Sequence, residues 1–305
     1  MTLLLLVMIF GCSKKLEILK IVELKNYPSG SGMTLIKNQL FLIGDDATYI
    51  TILDTSLRIV DSILLINYKD KRIPKDIKPD LEAAATLYIE GKPYGLFLGS
   101  GSLKPFRDYG YLVNPGNKQI LKINLQKFYN QLKYVGVEDI NIEGATALPG
   151  GLLLANRGNK SNRLNQLIYT NARSVAKTGS AILKVIKVGT NTDTSSFAGV
   201  SGLDYSRKQD KLWLSVSTEN TANSIDDGEI GKSYLWMIND ISAKRRLSAI
   251  NPSKIFDLEE LDNRFKGEKI ESVCVVAHNK NSTELVLVSD NDKGTSKLFK
   301  IKLTY

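Results

Sequence analysis

Glu143 to Gly158 reads E-G-A-T-A-L-P-G-G-L-L-L-A-N-R-G: an acidic residue, a small residue, an apolar stretch, a second apolar run from Gly151 to Ala155, and a polar cluster of Asn156, Arg157 and Gly158. The same order recurs four times. The other copies start S-G-M-T-L at Ser31, E-A-A-A-T-L at Glu82, S-G-L-D-Y at Ser201 and E-S-V-C-V-V at Glu271, at intervals of 51, 61, 58 and 70 residues. Periods of this size mark propellers or solenoids. A second apolar run follows each start, at Gln39 to Ile43, Tyr94 to Leu98, Lys211 to Val216 and Glu284 to Val288, and each ends in small or polar residues.

Third strands are expected at Tyr49 to Leu53, Gln119 to Leu125, Gln166 to Thr170, Tyr234 to Ile238 and Lys297 to Leu303, and fourth strands at Ile59 to Leu65, Leu132 to Val137 and Ala181 to Val188. Their β-branched and aromatic content, bounded by Gly, Asn, Asp and Ser, is strand chemistry. No long segment of helical period stands out. Four antiparallel strands repeated radially give an all-β fold, a single β-propeller of five blades. A sixth blade is the alternative, because the interval from Ser201 to Glu271 has room for an extra strand pair. The last unit has three strands before the chain stops at Tyr305, and Leu16 to Leu24 has no blade of its own. That N-terminal strand is expected to pair with the last blade and close the ring, removing an open edge.

The composition fits a folded chain: 305 residues, 43% hydrophobic and 24% charged, which excludes disorder and collagen-like repeats. Length alone would suggest two domains at roughly 150 residues each, but one propeller accounts for the whole repeat. The net charge of +9 could suit an anionic partner. Its distribution argues otherwise, since basic residues are spread along the chain. The densest run, Lys69, Lys71, Arg72, Lys75 and Lys78, is interleaved with Asp70, Asp76 and Asp80 and reads as a solvated loop. No nucleic-acid signature is present. Two cysteines, Cys12 and Cys274, exclude a disulfide framework and a multi-cysteine zinc site. Cys274, in an apolar run, is expected to be buried and inert.

Leu3 to Phe10 is an apolar stretch too short to span a bilayer and sized for a secretory leader. It ends in Ile9, Phe10, Gly11 and Cys12, which resembles a bacterial lipobox. Residues 1–11 therefore read as a lipoprotein signal peptide, 12–15 as the lipidated Cys12 with a short tether, and 16–305 as one propeller domain. Such a protein is extracytoplasmic, anchored by lipid to a bacterial membrane, and a monomer is expected.

The first strand of each propeller blade lines the central channel, so the five starts converge. Ser31, Glu82, Glu143, Ser201 and Glu271 are expected at one mouth, near Asp45, Asp46, Ser100, Arg157, Glu219, Asn220, Asp290 and Asp292. Carboxylates this close raise one another's pKa unless a cation shares them. Arg157 and Arg107 are the internal candidates. Ca²⁺ or another divalent cation is the external one, because hard cations take carboxylate oxygens. Alternatively the Ser and Glu side chains cap backbone groups and hold blades in register.

Catalytic templates are absent: the only histidine is His278, which argues against a Ser-His-Asp hydrolase, and there is no nucleophile elbow, zinc-binding helix or phosphate loop. Gly99 to Ser102, G-S-G-S, reads as a turn.

The segments D-L-E-A-A at Asp80 to Ala84, I-E-G-A-T at Ile142 to Thr146 and S-G-L-D-Y at Ser201 to Tyr205 resemble the SdiA-regulated and phytase-like extracytoplasmic propellers. With G-S-G-S and Arg107, the chain is similar to an uncharacterised family of Bacteroidetes propeller lipoproteins. The phytase-like resemblance implies divalent-cation-dependent ester or phosphoester hydrolysis, with Glu82, Glu143 and Glu271 at the recurring acidic position, Asp80 beside them, and Arg157 or Arg107 on the anion. Ser31 and Ser201 break that acidic ring.

The leading functional expectation is a lipid-anchored propeller that binds a ligand, a small anionic molecule or a protein partner, at the channel mouth without catalysis. The alternatives are the hydrolase and a protein-interaction scaffold using an aromatic face that includes Tyr109, Tyr111 and Trp236.

Overall fold

The computed structural model describes residues 15–171, 175, 182–189, 197–219, 230–290 and 294–305. The leader, Cys12, Asn220 and Asp292 lie outside them. Blade 1 is built from β2 (Gly30–Ile36), β3 (Gln39–Gly44), β4 (Tyr49–Asp54) and β5 (Ile59–Leu64), and blade 2 from β6 (Leu81–Ile89), β7 (Lys92–Gly99), β8 (Tyr109–Val113) and β9 (Ile120–Asn124). Blade 3 holds β10 (Ile142–Leu148), β11 (Gly151–Asn156), β12 (Asn165–Thr170) and β13 (Ile182–Val188). Blade 4 holds β14 (Phe197–Ser206), β15 (Lys211–Glu219), β16 (Ile230–Asn239) and β18 (Lys254–Asp257). The short β17 (Ala249–Ile250) leaves blade 4's stretch of chain to add to β13 in parallel.

Blade 5 is β19 (Lys269–Asn279), β20 (Ser282–Asp290) and β21 (Ser296–Thr304), completed by β1 (Lys15–Leu24) running antiparallel to β21. The protein is a five-bladed propeller closed by its N-terminal strand, as the repeat implied. The room that suggested a sixth blade is occupied by β17 and β18 together with short helices at Ile241–Lys244 and Leu258–Leu261.

Blade 2 departs from the expected boundaries. Its third strand is Tyr109–Val113 and its fourth is Ile120–Asn124, while the expected strand at Leu132 to Val137 falls across a helix, α1 (Gln126–Tyr134), and the turn after it. The cause is spacing: Phe128, Tyr129 and Leu132 fall on one helical face, and that face is buried between blades 2 and 3.

Five hydrophobic clusters fill the five gaps between neighbouring blades. Each inner strand packs on the next around the channel. In all five inner strands the pairing slips by one residue near the mouth. The slips fall between Gly30 and Gly32, Leu81 and Ala83, Ile142 and Gly144, Val200 and Gly202, and Ile270 and Ser272.

The residue left unpaired by each bulge is Ser31, Glu82, Glu143, Ser201 or Glu271. A β-bulge re-aims a side chain, and here it does so at the same place five times. The small residue that follows lets the strands approach: a Cβ on Gly32 would lie 2.9 Å from the Glu82 carbonyl oxygen, and one on Gly202 would lie 2.9 Å from that of Glu271. The recurring Ser/Glu-small pattern is thus the bulge and the close contact beside it.

Candidate functional site

The two serines of the ring tie blades together. Ser31 Oγ donates to the carbonyl of Leu81, the residue before Glu82, and Ser201 Oγ donates to that of Ile270, the residue before Glu271, at 2.6 Å. Both are buried and act across blade interfaces, close to the register role foreseen for them, although they bond carbonyls instead of capping N–H groups.

The three glutamates divide between two charge clusters. Arg157, leaving the end of β11, places Nη1 3.9 Å from Glu143 and 4.0 Å from Glu271, and its Nη2 donates to Ser217 Oγ at 3.2 Å. Glu143 also accepts from Asn141 Nδ2 at 2.6 Å, and Lys269 Nζ lies 2.8 Å from Glu271. Glu82 joins a different set, in which carboxylate oxygens of Asp45, Asp80 and Glu82 all fall within 4.8 Å of one another. The expected metal trio of Glu82, Glu143 and Glu271 is not the group that comes together at ligand distance.

Lys78 reaches into this second set, bonding Asp45 and lying 2.9 Å from Asp80 Oδ1. Burial would strip its proton, but Asp45, Asp80 and Glu82 outweigh that and hold the ammonium charged well above its usual range. Asp80 also takes Arg107 Nη1 at 2.8 Å, with the Ser100 and Ser102 hydroxyls of the G-S-G-S turn packed around the same oxygen. Arg107 is buried, and its role is to fix Asp80. The run from Lys69 to Lys78, read as solvated, is so at Lys69, Lys71 and Lys75, but it delivers Lys78 to the mouth and Arg72 to Asp46 at 2.7 Å.

Glu82 makes no hydrogen bond or ion pair with the described residues. Burial first, then the charges of Glu143, Asp80 and Asp45, push its carboxyl well above the ordinary range. Asp45 is pushed up to about 6, again by burial, against the pull of Lys78. A carboxyl raised in the folded state makes folding favour the protonated form. Its contribution is present below the unfolded value and lost as pH rises through the folded one.

Stability is therefore expected to fall between pH 4 and 7 by on the order of 2 kcal/mol from these groups. In the double variant Asp45→Asn, Glu82→Gln that slope flattens, as urea midpoints across the range will show. Equal slopes in both proteins would place the two carboxyls at their ordinary values.

Beside this cluster, between blades 1 and 5, is a cavity of about 270 Å³ whose lining includes Asp45, Asp46, Arg72, Lys78 and Asp290. Of these, Asp45, Asp46 and Asp290 are expected at the mouth from the repeat, whereas Arg72 and Lys78 are not among the residues the repeat places there. An aromatic docking face is not formed by the residues named for it: Tyr111 and Trp236 are buried, and Tyr109 is half-buried under Lys122. Cys274 is buried, as expected. Among the described residues no helix is long and apolar enough to cross a membrane.

A family of unknown function (DUF6929) matches residues 26–303. No curated protein matches the sequence. Among solved structures, the chain is similar to Myxococcus xanthus glutaminyl cyclase, with a TM-score of 0.55 at 11% identity, covering 95% of this chain and 97% of that one. It is also similar to the PQQ-bound aldose sugar dehydrogenase of Streptomyces coelicolor, with a TM-score of 0.45 at 12% identity over 96% and 99% of the two chains. A candidate exported protein of Bacteroides fragilis gives a TM-score of 0.42 at 9% identity over 95% and 96%. The neighbours thus include enzymes, and at such identities the likeness to the cyclase shows a shared fold and nothing of its chemistry.

Proposed function

We propose, from the premise that the chain belongs to the family of unknown function DUF6929, that it is a binding propeller whose channel mouth receives a ligand presenting positive charge, a divalent cation or an ammonium group, and performs no chemistry on it. The single observation behind this reading is the Asp45, Asp80 and Glu82 set, three carboxylates within 4.8 Å, with Glu82 lacking a direct donor. Hard oxygen donors of this kind suit Ca²⁺. Lys78 is then a tethered counter-ion that the incoming charge replaces. In this reading the chain is anchored outside the cytoplasm by lipid on Cys12, which the lipobox-like Ile9 to Cys12 supports.

No observation favours the phosphoester-hydrolase alternative. Arg107 is engaged by Asp80 and Ser102, and Arg157 lies between Glu143 and Glu271, so neither is aimed at an external anion.

The test is thermal unfolding of the full chain in EDTA and then with Ca²⁺, Mg²⁺ or Zn²⁺. A cation at a hundred times its dissociation constant stabilises by about 2.7 kcal/mol, roughly 5 °C for a domain of this size. A hard-cation shift is expected in the wild type, larger in Lys78→Met and absent in Glu82→Gln. No shift with any cation in either the wild type or Lys78→Met would remove the cation from the reading.

A further inference from the structure

In each blade the turn from the first to the second strand lies at the end of the propeller opposite the bulges, at residues 37–38, 90–91, 149–150, 207–210 and 280–281. Contacts tie these turns into one face. Gln209 Nε2 donates to the carbonyl of Asn279 at 2.6 Å, Arg245 Nη1 to that of Pro149, and the Tyr305 N–H to that of Asn281. On and beside the turns Lys37, Lys92, Arg207, Lys208, Arg246 and Lys280 are exposed. Their charged ends make no ion pair or hydrogen bond with the described residues. The acidic residues there are Glu90, Asp240 and Asp210, and Asp210 is taken up by Tyr205 and Ser242. Basic residues scattered along the sequence are thus gathered, because separate blades each bring their own. Tyr88, Ile89 and Leu247 stand among them, 71%, 39% and 50% exposed.

The chain also enters at this face. β1 begins with Lys15 opposite Thr304, whose neighbour Tyr305 is held at the Asn281 turn. Cys12 precedes Lys15 by three residues, a span of at most about 11 Å when fully extended. A lipid on Cys12 therefore brings the turn face against the headgroups; that step rests on the lipid-anchor reading above. The charge points the same way without it. Anionic headgroups raise affinity by roughly fivefold for each Lys or Arg near the surface, and Tyr with aliphatic neighbours suits the headgroup boundary. We infer that the turn face docks on an anionic lipid bilayer, its basic side chains over the headgroups, and that the carboxylate-lined mouth opens away from the membrane.

The experiment is co-sedimentation of the full chain, made without lipid on Cys12, with vesicles of phosphatidylcholine alone and with vesicles containing phosphatidylglycerol. The apolar Leu3 to Phe10 contributes to both kinds, so the ratio between them reads the charged face. Tighter binding to the phosphatidylglycerol vesicles is expected, weakening as salt rises. The triple variant Lys37→Gln, Lys208→Gln, Lys280→Gln should lose that affinity by roughly a hundredfold. Removing the same charge on the mouth side, in Lys69→Gln, Lys71→Gln, Lys160→Gln, should leave it within about threefold, because those side chains face away from the bilayer. All six lysines are exposed, so neither variant disturbs the core.

Equal binding to the two kinds of vesicle, or equal losses in the two triple variants, overturns the inference. So does tighter binding to a short DNA duplex that the first triple variant abolishes, which would give the face to nucleic acid. The anchor is tested apart, by the mass of the chain extracted from the membrane of a bacterial host. Unmodified Cys12 removes the anchor, while a phosphatidylglycerol preference lost in the first triple variant still upholds the docking face. A lipidated Cys12 without that preference removes the docking face and keeps the anchor.

Discussion

Replacing Asp204 by Ala is expected to lower the unfolding free energy by about 3 kcal/mol or more, a large loss for one residue. Asp204 lies on β14, three residues beyond the Ser201 bulge, and its carboxylate gathers donors from three blades. Thr146 Oγ1 of blade 3 donates at 3.0 Å, the Tyr205 backbone of its own strand at 2.8 Å, and the Val275 backbone of blade 5 at 2.8 Å, with the Cys274 thiol as a further donor. Burial pushes its carboxyl up, and these hydrogen bonds pull against that.

Alanine would leave the backbone N–H of Val275 and the hydroxyl of Thr146 without their acceptor, at about 1–3 kcal/mol for each group that water cannot reach. Asn keeps one acceptor but turns a donor toward its neighbours, so an intermediate loss is expected. Urea midpoints for the three proteins decide it. A loss under about 1 kcal/mol would mean that channel water replaces the carboxylate.

The same tier explains what could be read from sequence and what could not. Ser31, Glu82, Glu143, Ser201 and Glu271 were legible as a ring because each bulge needs a small or tightly packed successor, and that local demand repeats in the chain. A few residues farther along, Thr34 and Thr86 meet at 2.9 Å across blades 1 and 2, and Thr146 meets Asp204 across blades 3 and 4. These contacts use different residue types to do one job, so no repeat marks them.

The mouth's lysines were hidden for another reason. Lys78 sits in a run of alternating charge that has the composition of a solvated loop, and only the return of the chain from β5 to β6 carries it over the channel. One signal was available. A residue four before the inner-strand Glu82 and two before Asp80 must pass the mouth, and the same argument picks out Lys269, two before Glu271. The miss at α1 was one of period, since Phe128, Tyr129 and Leu132 are too few to announce a helix against the surrounding strands.

A chain beginning at residue 25 is expected to unfold less cooperatively and to associate between copies more than the chain that keeps β1. β1 is the outer strand of blade 5, paired from Lys15 with Thr304 to Leu24 with Ser296. It buries Leu24 and packs Leu16, Ile18 and Val22 against the clusters on either side of that blade. Four such side chains at about 1.5–3 kcal/mol when fully buried amount to several kcal/mol even after discounting the partly buried ones. That is a large share of a domain's net stability.

Removal also opens the seam. Tyr27, just after β1, is buried and donates to the carbonyls of Leu42 and Tyr49, and its own carbonyl accepts from Ser296, whose Oγ in turn accepts from the Gly30 N–H. Blade 5 is thus fastened to blade 1 by residues that β1 positions. Without β1, the nine residues of β21 become an open edge that invites pairing between copies.

Light scattering should then show oligomers or loss of soluble protein. A peptide of residues 15–24, K-L-E-I-L-K-I-V-E-L, added during refolding should reverse that association by strand addition. A truncated chain that associates no more than the chain with β1 and keeps its unfolding midpoint would show that ring closure contributes little. The stability would then reside in the five inter-blade cores, with blade 5 held by blades 1 and 4 alone.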